Sequence, residues 1–165
     1  MQPSKILVVE DFEEFRRLVC SLLGPREEFQ VEAVADGLEA VQKAEQLQPD
    51  LILLDISLPN LNGIEVARRV HKLASGAKIL FLSIESDADL VREALTLGAG
   101  YIHKPRVQRD LLPAMDAVLG CKQFVSKGLE FGEDENTEAQ HRQPKGQDAV
   151  PALDSIFAQH SAPSR

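Results

Sequence analysis

Leu51-Ile52-Leu53-Leu54-Asp55-Ile56-Ser57-Leu58-Pro59 is a short apolar run closed by a carboxylate and followed by a turn. Three other runs share its form. Ile6-Leu7-Val8-Val9 is closed by Glu10-Asp11, Ile79-Leu80-Phe81-Leu82 by Ser83, and Tyr101-Ile102-His103 by Lys104. Apolar runs of strand length, without polar alternation, are expected in parallel sheets covered by helices on both faces. Ligands of open parallel sheets bind at the carboxyl ends of the strands. The groups that close these runs are therefore expected to share one site.

The segments between the runs read as helices. The first spans about 12–23, with Phe12, Phe15, Val19, Leu22 and Leu23 at helical spacing and Asp11 as its N-cap. Residues 29–34 alternate weakly and predict an exposed second strand, followed by a helix over 37–47. The loop Ser57–Asn62 leads into a helix from Gly63 to about residue 73. Strand four is expected at 78–82, then a helix capped by Ser86 and ended at Gly98 in the left-handed conformation. A strand at 100–103 and a helix at 108–120 complete the alternation. This pattern predicts an α/β, flavodoxin-like, doubly wound five-stranded parallel sheet of order 2-1-3-4-5 with five helices. That order sets strands one, three and four side by side.

Composition bounds the rest. Net charge is −8, with −5 carried by residues 1–131 and −3 by residues 132–165, which leaves no basic face suited to nucleic acid. Cys20 and Cys121 are far apart and match no metal or redox spacing. No apolar stretch approaches the ~20 residues of a membrane span, and the N-terminus is not a signal peptide, so the chain reads as cytoplasmic. Residues 1–124 form the expected domain. Residues 125–165 are read as linker and polar, disordered tail. Within that tail Val150, Leu153, Ile156 and Phe157 are spaced as one face of a short helix near 150–158, a transient helix being favoured over a docking motif.

Carboxylates converging at one edge repel, and a hard cation is the natural compensation. Mg²⁺ takes oxygen ligands and keeps several waters. Asp11 and Asp55 are expected as direct ligands, Glu10 through water, and the backbone carbonyl of Ser57 as a further ligand. An aspartate can also attack phosphorus and form an acyl phosphate. Asp55 is the expected acceptor, with Lys104 and Ser83 each supplying a donor to a phosphoryl oxygen. Singly, an Asp or Ser after a strand is usually a cap or turn residue, and a Lys before Pro is usually solvated. Together, at four successive strand ends, they favour a site.

With these pieces in place the chain resembles a response-regulator receiver domain, the phosphoacceptor module of two-component signalling. The matching residues are Ile6 to Asp11, Leu53 to Gly63, Ser83, and Gly98-Ala99-Gly100-Tyr101-Ile102-His103-Lys104-Pro105. The resemblance covers about residues 4–121. It implies phosphotransfer to Asp55 from a histidine kinase or phosphotransfer protein, with Mg²⁺ required. It implies that Ser57 and Glu85 tune self-dephosphorylation. It also implies that Ser83 and Tyr101 move together in a switch read by a downstream protein target on the face of the fourth helix, fifth strand and fifth helix. A homodimer through that face is left open. A cis bond at Lys104–Pro105 is a further implication. Glu10 stands where the family more often has Asp, and Ser83 where it more often has Thr.

Residues Phe124–Leu129 resemble receivers of LuxR-type regulators, yet the polar remainder does not read as a helix-turn-helix, so no direct DNA binding is expected. Two readings compete. A phosphorylation-independent binding module would keep only the fold, against which the complete residue set argues. An aspartate-nucleophile phosphatase of the haloacid dehalogenase type would need Asp-x-Asp-x-Thr after its first strand, where this chain has Glu10-Asp11-Phe12-Glu13-Glu14. The phosphate-binding Gly-x-x-x-x-Gly-Lys-Ser/Thr loop is absent from the sequence.

Overall fold

A computed structural model describes residues 1–129. The disorder and short helix expected in the tail lie outside these residues. Strands and helices alternate as β1 (Ser4–Val9), α1 (Glu13–Leu23), β2 (Phe29–Val34), α2 (Gly37–Leu47), β3 (Leu51–Asp55), α3 (Gly63–Leu73), β4 (Lys78–Ser83), α4 (Ala88–Leu97), β5 (Gly100–His103), α5 (Val107–Leu119) and β6 (Phe124–Val125). A 3₁₀ turn, Lys104–Arg106, joins β5 to α5.

The sheet is parallel, with order β2-β1-β3-β4-β5-β6. Five strands stand in the expected order; the sixth corrects the expected five-stranded sheet. After α5 the chain turns at Cys121, at φ 62°, and lays Phe124 and Val125 beside Gly100 and Tyr101. Unpaired backbone groups on an edge strand are costly when buried, and this apolar dipeptide satisfies part of the β5 edge. Ser126 and Leu129, past the boundary expected at 124, are buried as well.

Alternation along each strand divides the core into two layers. Leu7, Val9, Ile52, Leu54, Ile79, Phe81 and Tyr101 face α2, α3 and α4. Ile6, Val8, Leu51, Leu53, Leu80, Leu82 and Ile102 face α1 and α5. Both faces are thus covered, which is why β1, β3 and β4 read as unbroken apolar runs.

Three helix ends differ from expectation. Phe12, not Asp11, precedes α1, and no side chain caps it. Asp87, one residue beyond Ser86, caps α4 by accepting from Asp89 N and Leu90 N; an ionised carboxylate with two lone-pair-rich oxygens is a better acceptor there than a hydroxyl. Gly98 ends α4 in an extended conformation, φ −119°, rather than a left-handed one. Its glycine is required by close approach, since a Cβ there would lie 2.7 Å from the Phe81 ring. No helix among the described residues is long and apolar enough to cross a membrane.

Candidate functional site

The carboxyl ends of β1, β3, β4 and β5 bring the predicted residues to one edge of the sheet. Glu10 follows β1 and is fully buried, with Asp11 exposed beside it. Glu10 Oε1 accepts from Phe12 N at 3.0 Å, and its own carbonyl accepts from Arg16 Nη1 at 2.9 Å. Asp55 is the last residue of β3 and is 3 % exposed. Its Oδ1 accepts from Ser57 N at 3.2 Å, which folds the loop back over the strand end. Gly63 opens α3 directly against this turn. Any side chain there would meet the Asp55 carbonyl, because a Cβ would sit 2.1 Å away.

Lys104 joins the two buried carboxylates. Its ammonium lies 2.7 Å from Glu10 Oε2 and 3.2 Å from Asp55 Oδ2, and 4.8 Å from the centre of the Phe15 ring beneath it. Apart from this contact with Lys104, Glu10 Oε2 is buried with no other polar partner among the described residues. The Lys104–Pro105 bond is trans, as are all the others described, which corrects the cis expectation. Lys104 opens the 3₁₀ turn and Pro105 falls in its first residues. There the ring's fixed φ suits the turn and its missing N–H costs nothing, so the ordinary trans isomer serves.

Carboxylate oxygens of Glu10, Asp11 and Asp55 all lie within 4.8 Å of one another. One lysine cannot neutralise three carboxylates, and the protonation equilibria record this. Burial, and then the charge of Asp55, push Glu10 up to about 7, against the pull of Lys104. Burial likewise raises Asp55, again opposed by Lys104. A concentrated acidic pocket whose three carboxylates share one buried ammonium is suited to a hard divalent cation.

The remaining predicted residues lie around this pocket. Ser83 ends β4 beside Asp55's strand and is buried, its Oγ accepting from Glu85 N at 3.0 Å. Tyr101 is fully buried and donates its hydroxyl to the Glu85 carbonyl at 2.9 Å. Burial raises its phenol above the ordinary value, opposed by the neighbouring Ser83 hydroxyl. The side chains of Ser57 and Glu85 are exposed at the rim. Sequence reasoning missed Phe15, the apolar floor under Lys104, because its helical spacing marked it only as core. It also missed His103, whose Nε2 meets the Ile84 carbonyl at 3.0 Å.

A doubly wound parallel sheet carrying carboxylates, a hydroxyl and a lysine on adjacent strand ends defines a flavodoxin-like receiver fold. The chain belongs to the response regulator receiver domain family, whose model matches residues 6–116. It is 40% identical over 102 residues to the transcriptional regulatory protein LnrK of Bacillus subtilis, covering 61% of this chain and 46% of that one. The chain spans about half the length of the curated relatives it matches. Among solved structures, a LuxR-family two-component response regulator from Aurantimonas sp. superposes with TM-score 0.72 at 26% identity, covering 77% of this chain and 92% of that one. The response regulator domain of Thermotoga maritima CheB gives 0.64 at 30% identity, covering 72% and 97%.

Proposed function

We propose that Asp55 accepts a phosphoryl group from a histidine kinase or a histidine phosphotransfer protein, and that this switches a protein-interaction face. The observation that carries the reading is the environment of the Asp55 carboxylate. One oxygen is held by Lys104 and the other by Ser57 N, in a pocket with two further carboxylates.

In the transfer, a carboxylate oxygen of Asp55 forms a bond to phosphorus as the P–N bond of the donor phosphohistidine breaks. The electron pair leaves on the imidazole nitrogen, and the product on this chain is an acyl phosphate. Lys104 offsets the charge that the phosphoryl group adds, and Ser83 is placed to donate to one of its oxygens. Glu10, Asp11, Asp55 and the Ser57 carbonyl are the groups proposed to hold Mg²⁺. When bound, that ion supplies positive charge to the phosphoryl oxygens. The chain is taken to act in the cytoplasm through a protein target rather than by binding DNA. Tyr101, Ser57 and Glu85 are proposed to couple and time the response, with the face of α4, β5 and α5 as the readout.

The test is intact-mass analysis after incubation with acetyl phosphate and Mg²⁺, for wild type and Asp55→Asn, with an EDTA control. One Mg²⁺-dependent phosphoryl adduct, absent from the variant, is expected. An adduct retained by Asp55→Asn would show another acceptor. No adduct, either from acetyl phosphate or from a phosphorylated histidine kinase, would leave a binding module with a silent site.

A further inference from the structure

Tyr101 and His103 each bridge two parts of the molecule. Their side chains reach the β4–α4 loop, Tyr101 Oη donating to the Glu85 carbonyl at 2.9 Å and His103 Nε2 lying 3.0 Å from the Ile84 carbonyl. A carbonyl only accepts, so that ring nitrogen carries the proton. Their backbones reach one residue on the other side. The Tyr101 carbonyl accepts from Ser126 N at 2.9 Å, and His103 N donates to Ser126 Oγ at 3.1 Å.

Ser126 is fully buried. Its hydroxyl donates to Asp110 Oδ2 at 2.6 Å, and Asp110 is paired with Arg106 at 3.0 Å, both on the first turns after β5. Three residues on, Leu129 joins the cluster of Tyr101, Val91 and Ala94. The segment 124–129 is therefore fastened to β5 at its edge, by the same two residues that hold the β4–α4 loop.

We propose that Ser126 relays the state of the β4–α4 loop to the segment 124–129, so that phosphorylation of Asp55 loosens this strap. The inference rests on the phosphoacceptor reading and names an intramolecular recipient of its switch. The physical basis is short. A loop drawn toward a phosphoryl group on Asp55 carries the Ile84 and Glu85 carbonyls with it. Tyr101 and His103 must then follow or release them, and either change is felt by the backbone groups that hold Ser126. The coupling needs no long path, since each bridge is one residue wide.

The test is amide hydrogen exchange of the full chain, resolved over 124–129, before and after phosphorylation with acetyl phosphate and Mg²⁺, with the adduct followed by mass in the same samples. Exchange at Ser126 is expected to quicken about tenfold in the phosphorylated wild type, a moderate allosteric coupling. Ser126→Ala should be phosphorylated as wild type is and shrink the difference between the two states, because it removes the Oγ link to His103 N and keeps the backbone link to Tyr101. His103→Leu, which spares Ser126 and cuts one bridge to the loop, should shrink it, and serves if Ser126→Ala does not fold. Exchange that is unchanged or slower in phosphorylated wild type overturns the relay, as does a full difference retained in these variants. Absence of the mass adduct, from acetyl phosphate and from a phosphorylated histidine kinase alike, overturns the phosphoacceptor reading and the relay with it, and is read separately from exchange.

Discussion

Two buried carboxylate clusters lie on opposite sides of β5, and they are finished differently. Asp110 is 6 % exposed, and both its oxygens are engaged, by Arg106 and by the Ser126 hydroxyl. Glu10 is fully buried, and it shares a single lysine with Asp55 while a third carboxylate, Asp11, crowds the same pocket. A satisfied buried network specifies structure. A buried cluster short of positive charge stores unfavourable energy that a ligand can relieve. The difference separates a site from a joint using the same residue types.

The largest test of that contrast removes the cation from each cluster. Lys104→Met leaves Glu10 and Asp55 buried with no counter-charge, and is expected to cost about 3 kcal/mol at pH 8 in EDTA. Urea unfolding should show the cost shrinking as pH falls below about 7, where Glu10 takes up a proton. Arg106→Met removes a partner that is 29% exposed and leaves Asp110 its serine; about 1 kcal/mol is expected. Equal costs would erase the distinction.

Proton linkage sharpens it further. Glu10 has a folded value of about 7 against an ordinary 4.5. A raised folded value means the folded state binds the proton more tightly. The stabilisation is thus complete below about pH 4.5 and lost as pH rises to about 7. At about 1.4 kcal/mol per unit, a fall of roughly 3–4 kcal/mol is expected in EDTA. Denaturation over pH 4.5–8 measures it. Saturating Mg²⁺ should flatten or reverse the slope, because the cation prefers the deprotonated cluster and competes with protons. A slope that is flat in EDTA and unmoved by Mg²⁺ would mean the cluster is not short of charge.

What was legible in the sequence follows from the same physics. Glu10, Asp11, Asp55, Ser83 and Lys104 could be placed because each closes an apolar run, and the order of parallel strands then fixes which ends are neighbours. The joint was not legible. Asp110 falls inside the helix expected at 108–120 with nothing to single it out, and Ser126 inside the segment read as linker. Only the left-handed turn at Cys121, which brings Phe124 and Val125 back along β5, gives them a common location. A two-residue strand carries no periodicity from which it could be recognised. The choice between Ser86 and Asp87 as the cap of α4 was invisible for a related reason: both can accept from the first helical N–H groups, and they are one residue apart.

Asp110→Asn tests the satisfied side alone. The amide oxygen can still accept from Ser126, while the ion pair with Arg106 is lost. About 1–2 kcal/mol is expected, measured by urea unfolding. Mg²⁺ affinity, followed by calorimetry, should be that of wild type, because Asp110 is not in the acidic pocket. A tenfold loss of Mg²⁺ affinity would show that joint and site are one electrostatic unit.

The smallest expected effect belongs to the residue that touches both regions. Tyr101→Phe keeps the ring that fills the layer beside Phe81, whose ring centre lies 6.5 Å away, and removes only the hydroxyl bond to the Glu85 carbonyl. That carbonyl is on an exposed loop and can turn to water, so the net cost is that of one neutral hydrogen bond, about 0.5–1 kcal/mol. The unfolding midpoint should therefore move little, and Mg²⁺ affinity not at all. A loss of about 3 kcal/mol would mean that the Glu85 carbonyl is left without a partner when the hydroxyl goes. The β4–α4 loop would then be a rigid part of the joint. A small cost leaves that loop free to respond to the site, which is the condition the contrast between the two clusters requires.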